Sequence, residues 1–150
     1  MTQAGGWGVG GDADGPGSRE APGTPPNGSD AGCVLVVEDF PDLRELLVRA
    51  LQGAGLKADG AGSRSQAMEA SPEKYQALVI DLRLGPDLGT DLLKEICVLD
   101  PTAISRCVIM TGGGFSEHVP PGIPVLEKPF RMTALVDAVR DLLPSGSAIS

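Results

Sequence analysis

Five polar residues in this chain close apolar runs or stand just past them. Glu38 and Asp39 come together, Asp81 follows 42 residues later, Thr111 comes 30 residues after that, and Lys128 a further 17. Three carboxylates gathered in one place repel each other until one keeps a proton or a cation neutralises them. Magnesium suits such a set, because it takes one or two carboxylates along with waters and phosphate oxygens. Lysine adds a compact positive charge and threonine a hydroxyl donor. Together the five can handle a phosphoryl group, with one carboxylate as nucleophile, the others on the metal, and Lys128 and Thr111 on the phosphoryl oxygens.

Taken singly, each residue has a plainer reading. Asp39 precedes Pro41, a residue suited to a first helical turn, and reads as a helix cap. Glu38 reads as a solvated loop charge and Asp81 as an acid opening a turn. Thr111, before Gly112–Gly114, reads as a loop residue, and Lys128 as a surface lysine. The signal lies in five such residues falling at successive strand ends.

The elements that must position them are legible in the apolar pattern. Cys33–Val37 is a continuous, β-branched run, as a strand buried on both faces requires. Leu43, Leu46, Leu47, Ala50 and Leu51 recur at helical spacing, and Gly53 and Gly55 stop that helix. A weak strand over Leu56–Ala61 follows, then a capping-box signal at Ser63–Gln66 that opens a short helix through Met68. Ala77–Ile80 predicts a third strand ending on Asp81, and residues 85–89 predict a turn. Leu92, Leu93, Ile96 and Leu99 mark a further helix, and Cys107–Met110 a fourth strand ending on Thr111. Ile123–Leu126 marks a fifth strand ending near Lys128, and Met132–Leu143 a last amphipathic helix closed by Pro144.

Strands alternating with helices predict a parallel, doubly wound α/β sheet with right-handed crossovers. Ligands of such sheets bind beyond the carboxyl ends of the strands, where strand order reverses. The five polar residues therefore converge on one edge.

Composition bounds the rest. The chain has 150 residues, 41% hydrophobic and 21% charged, and ten of its 21 glycines fall within residues 1–32. That stretch has too little apolar surface to offset the entropy of ordering, and is expected to be a flexible tail or linker. Residues 33–143 are expected to form one domain, and 144–150 a disordered end. A net charge of −8 argues against nucleic acid and anionic membrane as partners. No apolar run reaches the ~18 residues of a spanning helix, and the N-terminus lacks a signal-peptide pattern. Cys33, Cys97 and Cys107 are odd in number and lack a Cys-x-x-Cys pair, as free thiols in a reducing cytoplasm would be. A single histidine, His118, argues against zinc; it and the lone Trp7 read as solvent-exposed and tail residues.

The stretches Val36-Val37-Glu38-Asp39, Val79–Leu84, Ile109–Gly112 and Leu126–Phe130 resemble, in combination and order, the receiver domain of bacterial two-component response regulators. The resemblance runs from about Gly32 to Leu143. It implies a flavodoxin-like five-stranded sheet of order 2-1-3-4-5. Asp81 would accept a phosphoryl group from a kinase phosphohistidine. Glu38, Asp39 and Asp81 would bind magnesium or manganese, with the Arg83 backbone carbonyl completing the protein ligands. Thr111 would swing toward the phosphoryl oxygens, Lys128 would pair with them, and the Lys128–Pro129 bond would be cis. The implied partner is a sensor histidine kinase or a histidine phosphotransfer protein, with a homodimer as a further option. The role would be that of a phosphoacceptor signalling domain rather than an enzyme. The chain would be either a stand-alone receiver or the receiver part of a hybrid kinase.

Two departures stand out. The position three before the lysine, often an aromatic switch residue in the family, is Val125. The interval from Thr111 to Lys128 is short and holds Gly112–Gly114, Pro120, Pro121 and Pro124, so the fourth crossover helix is expected to be short or absent. Three other readings fit the pattern less well. A haloacid-dehalogenase-type phosphatase needs a second acid two residues past the nucleophile, where Arg83 stands. A dinucleotide-binding domain needs a Gly-x-Gly-x-x-Gly after the first strand, where Glu38-Asp39-Phe40-Pro41 stands. A receiver-like interaction module that is never phosphorylated has no need of all five site residues.

Overall fold

The computed structural model describes residues 33–112 and 119–143. The expectations for residues 1–32, for 144–150, and for His118 and the glycine loop at 113–118 lie outside the described residues. Five strands make one parallel sheet: β1 (Cys33–Val37), β2 (Lys57–Ala61), β3 (Ala77–Asp81), β4 (Cys107–Thr111) and β5 (Val125–Glu127). Their order is β2-β1-β3-β4-β5, with every pairing parallel. Chain order reverses between β1 and β3, which is where such a sheet opens a crevice.

β1, β3 and β4 are buried along their whole length, as their apolar runs require, and the burial extends to the polar residues Asp81 and Thr111 that close β3 and β4. Alternate residues divide between two cores. Leu35, Val37, Leu78, Ile80, Cys107 and Ile109 face Leu92, Leu93 and Ile96 of helix α3 (Gly89–Leu99) and Ala67 of α2 (Arg64–Glu69). Val34, Val36, Val79 and Met110 face Leu47 and Leu51 of α1 (Pro41–Gly53) and Leu135 and Val139 of α4 (Met132–Leu142). Leu46 and Leu99, which share the helical spacing of their neighbours, are exposed instead.

The helix signals resolve into specific hydrogen bonds. Gly55, at φ +91°, ends α1: its N–H donates to the Gln52 carbonyl and that of Leu56 to Leu51, a Schellman pattern. Ser63 Oγ accepts the Gln66 N–H, while Gln66 Oε1 accepts from Gly62, one residue before the capping-box position.

Some expectations change. Residues 85–89 are more than a turn: Arg83–Leu84 and Asp87–Leu88 pair as a short antiparallel ribbon across Gly85-Pro86. Gly85, at φ +62°, supplies the positive φ that such a two-residue loop needs at its first central position. Strand β5 begins at Val125 rather than Ile123, because Pro124 has no N–H to donate. Its carbonyl still accepts from Ile109 at 3.0 Å. Short 3₁₀ turns at Pro72–Lys74 and Pro101–Arg106 precede β3 and β4. No helix joins β4 to β5 among the described residues; Ile123 and Val119 pack on that side of the sheet instead.

Candidate functional site

The strands end nearly in register, with Val37 opposite Ile80, Asp81 opposite Met110, and Thr111 opposite Glu127. Glu38, one residue past β1, therefore lies beside Asp81, the last residue of β3. Thr111 closes β4, and Lys128 follows β5. Parallel pairing with flush strand ends brings all four to one edge.

Glu38, Asp39 and Asp81 each turn a carboxylate oxygen to one spot, the three oxygens lying within 4.8 Å of one another. Glu38 and Asp81 are buried, while Asp39 is exposed and forms the solvent side of the cluster. Lys128 Nζ donates to Asp81 Oδ2 at 2.7 Å and to Glu38 Oε1 at 3.0 Å. The remaining oxygens of these two acids take backbone donors. Asp81 Oδ1 accepts the Arg83 N–H at 3.1 Å, and Glu38 Oε2 accepts the Phe40 N–H at 3.2 Å. Asp39 does not cap α1, whose N-cap is Phe40; its Oδ2 accepts the Gly85 N–H of the ribbon at 3.1 Å. That long-range bond displaces the local cap expected of Asp39.

Burial pushes the Glu38 carboxyl up to about 7, and the neighbouring Asp81 carboxylate adds to the rise; Lys128 only partly opposes it. For Lys128, burial works against the charge, but the hydrogen bonds to Asp81 and Glu38 outweigh it and hold the ammonium above the ordinary lysine range. The site is thus short of positive charge: one ammonium serves two buried carboxylates, with a third at the rim. Three hard oxygen donors around one point, with an open side for water, fit a magnesium-sized cation.

Thr111 is fully buried, and its carbonyl accepts the Lys128 N–H at 2.7 Å, tying the hydroxyl-bearing strand end to the lysine. The next peptide, Lys128–Pro129, is cis. Arg83 opens the ribbon two residues past Asp81, and it is its N–H that reaches the Asp81 carboxylate. Val125 is half-buried at the start of β5, paired in register with Ile109.

Several contributors are not legible as site residues in the sequence. Gly89, the first residue of α3, approaches the Asp81 backbone so closely that a Cβ there would meet the Asp81 carbonyl carbon at 3.0 Å and Ile80 Cγ2 at 2.8 Å. Gly85 holds Asp39. Arg44 of α1 donates through Nη1 to the Glu38 carbonyl at 2.9 Å. Their only sequence signal is one glycine in the ribbon's loop, another just after it, and a cation six residues past Glu38.

The response regulator receiver domain model matches residues 34–140. The C4-dicarboxylate transport transcriptional regulatory protein DctD of Pseudomonas aeruginosa is 32% identical over 119 residues, covering 73% of this chain and 25% of that one. The chain thus spans a quarter of that relative's length. The response regulator receiver protein CpdR of Brucella abortus is 27% identical over 116 residues, covering 73% of this chain and 95% of that one. Among solved structures, response regulator protein TrrA of Thermotoga maritima, in complex with Mg(2+)-BeF, matches with a TM-score of 0.65 and 23% identity. That match covers 74% of this chain and 98% of TrrA.

Proposed function

This chain belongs to the response regulator receiver family and has a two-component phosphoacceptor signalling role; from that premise we propose that Asp81 is the residue phosphorylated. The observation that carries the assignment is the position of its carboxylate. It lies at the end of a central strand, 2.7 Å from the Lys128 ammonium and within 4.8 Å of two further acids. Glu38 and Asp39, with the Arg83 carbonyl, hold magnesium or manganese beside it. The ion's part is to neutralise charge on the entering phosphoryl group. Everything else falls to the protein's own groups.

The donor is a sensor histidine kinase or a histidine phosphotransfer protein. An Asp81 carboxylate oxygen forms the new bond to phosphorus while the phosphorus–nitrogen bond to the donor imidazole breaks, and the electron pair returns to the ring. Lys128 Nζ, already on Asp81 Oδ2, follows the new oxygens. Thr111, one strand further along, supplies its hydroxyl to them. Moving a two-state domain from 1:99 to 99:1 takes about 5.5 kcal/mol. Charge-assisted bonds from Lys128 and Thr111 to a doubly negative group are of that order together. The domain promotes only its own phosphorylation and dephosphorylation, and acts in the cytoplasm. No helix among the described residues is long and apolar enough to cross a membrane.

Acetyl phosphate with Mg²⁺, followed by intact-protein mass spectrometry, tests the assignment. Wild type gains one phosphoryl group, Asp81→Asn gains none, and chelation of Mg²⁺ abolishes the gain. Equal labelling of wild type and Asp81→Asn refutes Asp81 as the acceptor.

A further inference from the structure

Arg44 lies on α1, outside the cluster of acids, yet its side chain runs across the end of β2 to the site. Its Cγ and Cδ lie 3.0 Å from where a Cβ on Gly60 would sit, and its Nη1 lies 2.6 Å from where a Cβ on Gly62 would sit. Neither glycine has a positive φ. Their missing side chains therefore serve space rather than backbone conformation, and the space is filled by Arg44. At the end of this channel Nη1 donates to the Glu38 carbonyl at 2.9 Å.

Glu38 is thereby held on all sides. Its N–H donates to the Ala61 carbonyl at 3.0 Å, its carbonyl accepts from Arg44, and its two carboxylate oxygens accept from Lys128 and from Phe40. Of these, only the Arg44 bond fixes the peptide between Glu38 and Asp39, the unit whose rotation sets how the two carboxylates point relative to each other. Without it that carbonyl loses its charged donor, and the peptide between Glu38 and Asp39 is restrained only through the side-chain bonds at either end.

We infer that Arg44, seated in the channel left by Gly60 and Gly62, is a positioning residue that presets Glu38 and Asp39 for the divalent cation. The inference rests on the reading that these acids hold the metal. It opposes what charge alone predicts. A guanidinium near a cation site repels the cation, so its removal should tighten binding if charge were its only effect; a positioning role predicts weaker binding.

The test is isothermal titration of Mg²⁺ into the unphosphorylated full chain, for wild type, Arg44→Ala, Gly62→Ala and Asp39→Asn. Gly62→Ala keeps the charge and pushes the flexible end of Arg44 off the Glu38 carbonyl, with a shift of a few tenths of an ångström in the Gln66 side chain, whose Oε1 lies 3.2 Å from the added Cβ; folding is thereby spared if Arg44→Ala proves unstable. Loss of one charge-assisted hydrogen bond's worth of positioning weakens Mg²⁺ binding about tenfold. That loss is expected in Arg44→Ala and in Gly62→Ala, each with a cooperative unfolding transition. Unchanged or tighter binding in both, while Asp39→Asn binds more weakly, overturns the role of Arg44 alone. Unchanged binding in Asp39→Asn overturns the metal reading beneath it.

Discussion

Replacing Gly89 with alanine separates tertiary geometry from local propensity, because the two predict opposite signs. Gly89 opens α3, and alanine is the better helix former by up to about 1 kcal/mol in a helix interior. On that ground alone Gly89→Ala stabilises. The structure predicts the reverse. An added Cβ falls inside the van der Waals shell of the Asp81 carbonyl oxygen, 2.8 Å from Ile80 Cγ2 and 3.0 Å from the Asp81 carbonyl carbon. Two of these three atoms are backbone of a central, buried strand and cannot rotate away. The start of α3 must instead retreat by about 1 Å, stretching the hydrogen bond from the Gly89 N–H to the Leu82 carbonyl. Overpacking of this kind costs about 1–3 kcal/mol, and the weakened bond adds about 1 kcal/mol. Set against the propensity gain, the net loss is about 1–3 kcal/mol. In a domain of this size that lowers Tm by roughly 5–15 °C. Urea denaturation followed by circular dichroism measures it, with Gly53→Ala as the control. Gly53 closes α1 with nothing within 4 Å of an added Cβ, so that variant gains about 0.5–1 kcal/mol. Because the displaced start of α3 packs directly on the Asp81 backbone, Gly89→Ala also slows labelling by acetyl phosphate. A Gly89→Ala protein as stable as wild type would refute the close approach of α3 to β3.

Other expectations concern the charges. Lys128→Met leaves Glu38 and Asp81 without their shared ammonium; a carboxyl then takes up a proton, which limits the stability loss to about 1–3 kcal/mol. The same variant binds Mg²⁺ more tightly by calorimetry, since the competing cation is gone. In metal-free buffer Glu38 keeps its proton up to about 7, while the unfolded chain releases it near 4.5. Between those values the folded state holds more protons, so stability falls as pH rises through that window. Denaturant titrations at pH 5 and pH 7.5 in chelator show the fall, and Glu38→Gln flattens it. Arg106 donates to the Tyr75 and Glu73 carbonyls, Thr102 Oγ1 and Asp100 Oδ2, joining the two 3₁₀ turns below the sheet. Arg106→Ala is expected to cost about 2–3 kcal/mol by chemical denaturation while leaving Mg²⁺ affinity unchanged.

Residues 33–37, 77–80 and 107–110 announce buried parallel strands by themselves. A strand covered on both faces must be apolar along its buried run, and that need is met within four or five consecutive residues. Once the strands are parallel, their carboxyl ends share an edge, so Glu38, Asp39, Asp81, Thr111 and Lys128 could be gathered from their order in the chain. What each then touches depends on partners that no local pattern contains. Asp39 looks like a cap, yet bonds to Gly85, 46 residues away, because the ribbon folds back over the site. β2 reads weakly because Gly60 there is chosen to clear Arg44 rather than to favour a strand. Apolar burial repeats with the period of the element that carries it and is therefore written locally. Hydrogen-bond partners and close approaches are set by how finished elements meet, and only the folded chain decides them.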